Sequence, residues 1–328
     1  MSSVSARISG TGMSVPERVM TNADLEKIVD TSDEWITTRT GIRERRMAEE
    51  GEPLSKFAAE AGRQAMESAG VAPDEIDLII LATVTPDMPI PATACKLQYD
   101  LGCRRAAAFD MAAGCSGFIY AQSVAKQFLL TGRCRHVLVI GAELLSSYLN
   151  WEDRTTCILF ADGAGATVMS RGEPPGGLLA SAMHTDGSMV DFICIPGGGT
   201  LHPPNQAMLD GKLQFIQMRG NETFKMAVRS MEEVCREVLD TAGLSTGDVD
   251  CFVPHQANQR IMDAVASRLS IGADRCFCNV DRYGNTSAAS IPIALHEAVR
   301  AGRIEADSIV LMAAFGAGLT WAGSVARW

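Results

Sequence analysis

Glu67-Ser68-Ala69-Gly70-Val71, followed by Glu75-Ile76-Asp77, returns later in the chain as Asp240-Thr241-Ala242-Gly243-Leu244, followed by Asp248-Val249-Asp250. In both copies a helical pattern stops at a glycine, the residue that accepts a left-handed helix cap. In both, an Asp seven residues further on opens an apolar strand. Two weaker matches keep the same order. Gly114-Cys115-Ser116 stands opposite Gly284-Asn285-Thr286, and Asp162-Gly163-Ala164-Gly165-Ala166 opposite Phe315-Gly316-Ala317-Gly318-Leu319. Chance similarity among Gly/Ala-rich loops is the alternative, but three matches in one order favour a duplicated unit. The turn-rich stretch Gly172-Glu173-Pro174-Pro175-Gly176-Gly177 places the boundary, giving halves 1–172 and 173–328. Equivalent loops of such a pair meet near the pseudo-symmetry axis. The loop of Cys115 would then face the loop of Asn285, and one active site would be built from both halves.

Outward from the repeat, short apolar runs alternate with longer helical patterns. Residues 78–84, 136–141, 156–160, 251–253 and 308–312 read as buried strands. Residues 55–69, 117–131, 221–242, 257–269 and 287–301 read as helices. This alternation predicts an α/β protein with covered sheets. The length of 328 residues suits two domains or one duplicated one.

Composition narrows the function. An apolar fraction of 47% with 21% charged residues is that of a chain with a large core, not of a disordered one. The net charge of −10 argues against non-specific nucleic-acid binding. The start, MSSVSARISG, lacks a basic segment followed by an apolar one, and no run is long enough to span a membrane, so the chain reads as cytoplasmic. Ten cysteines are scattered without a CxxC pair, and five histidines show no HxxxH spacing, so no metal is expected.

Three residues stand out for chemistry. Cys115 lies among small residues in Ala112-Ala113-Gly114-Cys115-Ser116-Gly117, just before a helical run. A thiol at a helix N-terminus has its thiolate favoured, although one structural Cys among ten would look much the same. His255 follows a strand in Val253-Pro254-His255-Gln256, where α/β proteins gather ligands. Asn285 precedes a helix in Gly284-Asn285-Thr286-Ser287. Alone, His255 reads as a loop histidine and Asn285 as a helix cap; the duplication is what brings them together. Gly316-Ala317-Gly318 offers backbone N–H groups for an oxyanion hole. Its counterpart at 163–165 reads as a turn, and neither copy has the spacing of a nucleotide-binding loop.

With these motifs the chain resembles the β-ketoacyl-acyl-carrier-protein synthase III family, the starter condensing enzymes of bacterial fatty-acid synthesis. The marks are Thr31-Ser32-Asp33-Glu34-Trp35-Ile36-Thr37-Thr38-Arg39-Thr40-Gly41-Ile42, Gly114-Cys115-Ser116-Gly117, Arg219-Gly220-Asn221-Glu222-Thr223-Phe224-Lys225, His255-Gln256-Ala257-Asn258 and Gly284-Asn285-Thr286-Ser287. The resemblance implies the thiolase fold, in which duplicated αβαβα halves give five layers, and a homodimer. It implies that Cys115 takes an acyl group from acyl-CoA. It also implies that His255 and Asn285 stabilise the enolate formed as malonyl-acyl carrier protein loses CO2. The N–H groups of Cys115 and Ala317 would hold the oxyanion. No cofactor is implied beyond the substrates.

The same resemblance assigns a CoA channel. Trp35 and Arg154 would sandwich the adenine, Arg39 would meet a phosphate, and Thr31, Asn221, Phe224, Ala257 and Asn258 would line the pantetheine tunnel. Lys225, Arg260 and Arg268 would form a basic patch for acidic acyl carrier protein; Arg260 and Arg268 share a helix face. Ile90 falls where the family closes its acyl pocket across the dimer, and a residue smaller than an aromatic there suits branched or longer primers. The loop 194–212 borders the pocket without a secure match. The competing functions are a related synthase of secondary metabolism, a non-catalytic acyl-CoA or carrier-protein binding module, and a Cys-His hydrolase.

Overall fold

Leu78–Ala82 is buried at every position because both faces of its strand are covered. In the computed structural model, which describes residues 4–328, this strand is an inner strand of the first of two large sheets. The first three residues of the MSSVSARISG start lie outside the described residues. The first sheet holds β1 (Ser5–Ser14), β2 (Leu78–Ala82), β3 (Ala107–Met111), β4 (His136–Leu144) and β5 (Asp162–Gly172), in the order β1-β5-β4-β2-β3. The second holds β6 (Gly177–Thr185), β7 (Cys251–Pro254), β8 (Ile309–Gly316) and β9 (Thr320–Arg327), in the order β7-β8-β9-β6. In each, one strand, β5 in the first and β9 in the second, runs antiparallel to both its neighbours, and the remaining strands share one direction. The sheets superimpose in order, β1 on β6, β5 on β9, β4 on β8 and β2 on β7. The equivalent of β3 shrinks to one parallel bridge, Phe252 with Cys276.

The helices are α1 (Asp33–Thr40), α2 (Leu54–Ala69), α3 (Thr93–Asp100), α4 (Gly117–Leu130), α5 (Gly220–Ala242), α6 (Gln259–Arg268) and α7 (Ser290–Arg300). Alternation along β2 decides the layering. Ile80 faces a core between the sheets, filled by Phe118 and Leu129 of α4 and by Ile291 and Leu295 of α7. Ile79 and Leu81 face the other way, towards Phe57 of α2 and Leu97 of α3. On the far side, Val234 of α5 and Val265 of α6 cover Phe252 and Leu311 of the second sheet. The stack is therefore α2/α3, sheet, α4/α7, sheet, α5/α6: the five-layer thiolase fold. Both repeats of the opening motif end helices at left-handed glycines, Gly70 (φ 63°) and Gly243 (φ 69°).

Two expectations need correction. Residues 156–160 form turns, not a strand, and Phe160 makes only an isolated bridge with Asn285. Their apolar side chains pack beneath α1, against Ile36 and Ile42. The stretch 162–166 is the start of β5, not a turn. Its glycines reflect a close crossing: a Cβ on Gly165 would stand 2.6 Å from the Ile293 backbone N of α7. It therefore matches β9 and not the 315–319 turn, because residues 145–161 are inserted between β4 and β5 where residues 317–319 suffice between β8 and β9. The chain passes from the first sheet to the second between Gly172 and Gly177.

Candidate active site

Cys115 sits in a single 3₁₀ turn, Gly114–Ser116, that runs directly into α4. The φ of Gly114 is 52°, a conformation glycine adopts without strain. The turn between β8 and β9 presses on it from the other half. A Cβ on Gly316 would lie 2.5 Å from Cys115 N, and one on Gly114 would lie 3.0 Å from Ala317 N. Ser116 Oγ donates to Thr320 O at 3.1 Å, and Thr320 Oγ1 donates to Ala113 O at 2.9 Å. These bonds hold the backbones of Cys115 and Ala317 side by side.

Asn285 precedes α7 as Cys115 precedes α4. Its backbone N–H donates to Leu159 O and its carbonyl accepts from Ala161 N–H, each at 2.9 Å. Its Oδ1 accepts from Ser287 N–H at 2.9 Å, which assigns the amide and leaves the NH2 to face the cavity. His255 leaves the end of β7, with its N–H on Ala313 O at 2.8 Å. Its Nδ1 lies 2.6 Å from Ser290 Oγ, which also accepts from Gln256 N–H at 3.3 Å.

Cys115, His255 and Asn285 line one cavity of about 110 Å³, with Phe224, Ala257 and Asn258 also in its wall. Cys115 opens on its other side into an apolar cavity of about 240 Å³, walled by Leu145, Ile193, Ile195 and Ile216. Ser287 and Ala317 border that second space. A larger cleft, about 1280 Å³, lies among charged side chains of α2 and α3, and none of the sequence-predicted residues lines it.

Burial governs the charges. It pushes the Cys115 thiol up to about 11; a hydrogen bond from Ser287 opposes this and the nearby Glu143 carboxyl adds to it. The helix N-terminus alone would favour the thiolate, but burial of the thiol outweighs it here. Burial lowers His255 to about 3, so the imidazole is neutral across the physiological range.

The other sequence-predicted residues gather around α1. Arg39 and Arg154 lie 4.5 and 5.1 Å from the Trp35 ring centre. Arg154 also donates to Asp30 O at 2.9 Å. Asn258 caps α6 and donates to Arg39 O at 3.0 Å. Thr31 is half-buried, and its Oγ1 has no partner among the described residues. Asn221 is exposed on the first turn of α5. Lys225 and Arg260 are exposed without an ion pair among the described residues, and Arg260 lies over Phe224 at 5.5 Å. Arg268 instead pairs with Glu232 at 3.0 Å. Ile90 stands apart, 84% exposed in the single chain. No group of three metal-ligating side chains occurs among the described residues. No helix among them is long and apolar enough to cross a membrane.

Sequence reasoning missed Glu143, Ser287, Ser290 and the apolar wall. Glu143 had a signal, a lone acid inside the apolar run 137–145. The wall residues come from separated segments and had none.

Residues 109–187 match the family model "3-Oxoacyl-[acyl-carrier-protein (ACP)] synthase III", and residues 239–328 match its C-terminal counterpart. A β-ketoacyl-[acyl-carrier-protein] synthase III of Caldanaerobacter subterraneus subsp. tengcongensis is 52% identical over 325 residues, covering 99% of this chain and 98% of that protein. The crystal structure of 3-oxoacyl-[acyl-carrier-protein] synthase III from Aquifex aeolicus superimposes with a TM-score of 0.91 at 50% identity, over 98% of this chain and 100% of that one. The priming β-ketosynthase of the R1128 polyketide pathway gives a TM-score of 0.92 at 35% identity, over 98% of this chain and 96% of that one. With a five-layer duplicated fold, a cysteine, histidine and asparagine around one cavity, and these relatives along its full length, the chain belongs to the β-ketoacyl-acyl-carrier-protein synthase III family of condensing acyltransferases.

Proposed function

We propose that the protein condenses an acyl-CoA primer with malonyl-acyl carrier protein, giving β-ketoacyl-acyl carrier protein, CoA and CO2, and so starts fatty-acid chains. The observation that carries this is the shared cavity of Cys115, His255 and Asn285, joined through Cys115 to a separate apolar space. Cys115 attacks the primer thioester and CoA leaves. The acyl chain lies in the apolar cavity, whose 240 Å³ is about eight water volumes and suits short or branched chains. Malonyl-acyl carrier protein then enters from the other side. As its C–CO2 bond breaks, His255 Nε2–H and the Asn285 NH2 donate to the thioester oxygen, where negative charge builds. Neutral donors suit this step, and burial keeps His255 neutral. The carbanion attacks the acyl-Cys115 carbonyl, whose oxygen is held by the N–H groups of Cys115 and Ala317, and the Cys115 thiolate is released.

Trp35 and Arg154 would sandwich the adenine of CoA, with Arg39 at a phosphate. Thr31, Asn221, Phe224, Ala257 and Asn258 would guide pantetheine. Lys225 and Arg260 offer free positive charge to acyl carrier protein, with Arg268 a weaker contributor because Glu232 holds it. A homodimer is supported by β3, an edge strand, and by exposed Ile90, whose loop is tied to β3 through Thr93 N–H on Asp110 at 2.8 Å. In that dimer Ile90 would close the partner's acyl cavity. The test is intact-mass measurement across a panel of acyl-CoAs, then after malonyl-acyl carrier protein, with Cys115→Ala as control. One acyl increment, absent in the control and discharged onto the carrier protein, is the expected result. No increment with any primer would sink the mechanism. The likeness to a polyketide-priming synthase favours a second reading, in which the increment forms but a different acceptor discharges it.

A further inference from the structure

Gln256, next to His255, is buried, and it lines neither of the cavities at Cys115. Its carboxamide binds three backbone groups. Nε2 donates to Pro254 O at 2.8 Å and to Phe277 O at 3.2 Å, and Oε1 accepts from Asn279 N–H at 2.9 Å. Asn279 leads into the helical turn Val280–Tyr283, which Gly284 and Asn285 follow. Glu297, on α7, grips that turn from the other side. It accepts from Asn279 Nδ2 at 3.0 Å, from Arg282 Nη1 and Nη2 at 2.9 and 2.6 Å, and from Tyr283 Oη at 2.7 Å. Burial alone would raise this carboxyl, but the bonds from Arg282, Asn279 and Tyr283 hold it below its ordinary value, so it is an anion at neutral pH.

The same helix reaches His255. Ser290, the first residue of α7, sets its hydroxyl 2.6 Å from His255 Nδ1 and accepts from Gln256 N–H at 3.3 Å. A backbone amide only donates, so the hydroxyl proton goes to Nδ1, its one acceptor among the described residues. This assigns the imidazole proton to Nε2. A closed frame results, with His255 and Gln256 after β7, Asn279 and Asn285 at the two ends of the turn, and Ser290 and Glu297 on α7. We propose that Gln256 and Glu297 are positioning residues that hold His255 and Asn285 at one fixed separation, and so act on decarboxylative condensation and not on acylation of Cys115. The inference rests on His255 and Asn285 being the two donors to the malonyl thioester oxygen. In that step the C–CO2 bond breaks and its electron pair moves onto the thioester oxygen as an enolate. The carbon then bonds to the acyl carbon, and the Cys115 thiolate leaves.

Two donors stabilise one oxygen only when both lie within reach of the same point, so their relative position matters as much as either alone. The backbone fixes each to a different place. His255 N–H is bonded to Ala313 of β8, whereas Asn285 is bonded to Leu159 and Ala161 of the first half. The frame joins the two loops to each other. A buried carboxamide is costlier than an apolar side chain unless its bonds are made, so packing alone does not call for Gln256. A fully bonded polar network instead selects one arrangement among packings of similar energy. Acylation lacks this dependence, because the backbones of Cys115 and Ala317 are held by separate bonds among Ala113, Ser116 and Thr320.

The test separates the half-reactions by intact mass for wild type, Gln256→Leu and Glu297→Gln. The first rate is acyl gain from the acyl-CoA that gives the fastest increment. The second is discharge of the pre-acylated protein by saturating malonyl-acyl carrier protein. Misplacement of a donor by about 1 Å costs about 10²-fold, so Gln256→Leu should slow discharge by about 10²-fold and the more peripheral Glu297→Gln by about 10-fold. Acylation should stay within about 2-fold of wild type in both. Thermal melting checks each fold, and Glu297→Gln, at a side chain 18% exposed, carries the test if Gln256→Leu does not fold. Equal loss in both half-reactions would assign a merely structural role and overturn the inference. Discharge at the wild-type rate would also overturn it, as would a loss that more carrier protein restores. A wild-type protein that takes no acyl group, or keeps it in the presence of malonyl-acyl carrier protein, would overturn the proposed reaction and the inference with it.

Discussion

Gly316→Ala is the sharpest probe of how the halves meet. The new Cβ would stand 2.5 Å from Cys115 N, 2.8 Å from Cys115 Cβ and 3.1 Å from Cys115 Cα, where ordinary contact begins at 3.4 Å. These atoms are the backbone and Cβ of Cys115, so no flexible side-chain end can swing aside. Relief requires the two loops to part by about 0.9 Å, the gap between 2.5 and 3.4 Å. A displacement of about 1 Å in a reacting group costs about 10²-fold in rate. Overpacking of this kind also costs about 1–3 kcal/mol of stability. Single-turnover acylation should therefore slow by about 10²-fold, with a lowered Tm. Gly187→Ala is the control, since a Cβ there meets nothing within 4 Å; it should leave both unchanged. A Gly316→Ala protein with wild-type acylation and an unshifted Tm would refute the claim that the 316–318 turn positions Cys115.

Ser290→Ala should leave acylation intact and slow condensation about 10-fold, because His255 loses the partner that orients its ring; equal loss in both half-reactions would contradict this. His255 is lowered to about 3 in the fold from an ordinary 6.5, so the unfolded chain binds its proton first as pH falls. The stability that a neutral His255 contributes is complete above pH 6.5 and is lost on descending towards pH 3, so His255→Asn should flatten the fall in Tm over that window. Trp35→Ala should raise KM for acyl-CoA about 10-fold with kcat nearly unchanged, since a stacking and cation–π face is lost. Turnover of an acyl-pantetheine lacking the nucleotide should not respond.

The helices were legible because their apolar faces are strong: α2, α4, α5 and α6 fall within two residues of their sequence positions. The strands of small residues were not. β1, β5 and β9 carry few large apolar side chains, because helices cross them at backbone distance. A Cβ on Gly12 of β1, for example, would lie 2.2 Å from Ala61 O of α2. Apolar periodicity cannot register a contact made through missing side chains. The error at 156–160 has the opposite cause, a run apolar enough for a strand that fills space under α1. At the site, Cys115 and Asn285 stand out in the sequence through their repeated position at strand-to-helix turns, and His255 through its place after a strand. Ser290 and Ser287 were not, because their meaning lies in what they touch.

The motif Thr31 to Ile42 shows how a stretch remote from Cys115 is tied to the same site. Arg45, three residues beyond it, is fully buried, and burial lowers its guanidinium only to about 10, so it remains a cation. No carboxylate pairs with it among the described residues. It donates instead to Asn22 Oδ1 at 2.8 Å, Met20 O at 3.3 Å and Ile158 O at 2.8 Å. Asn22 in turn donates to Asp33 Oδ1 and Ile42 O, both at 2.8 Å, fixing the two ends of α1 and with them Trp35 and Arg39. Ile158 precedes Leu159, whose carbonyl receives the Asn285 N–H. One buried cation thus ties α1 to the strand-like bridge that holds Asn285. A buried charge satisfied only by dipoles is costly. Its presence here is explained by the geometry it enforces: it sets the distance between α1, which carries Trp35 and Arg39, and Asn285 at the Cys115 cavity.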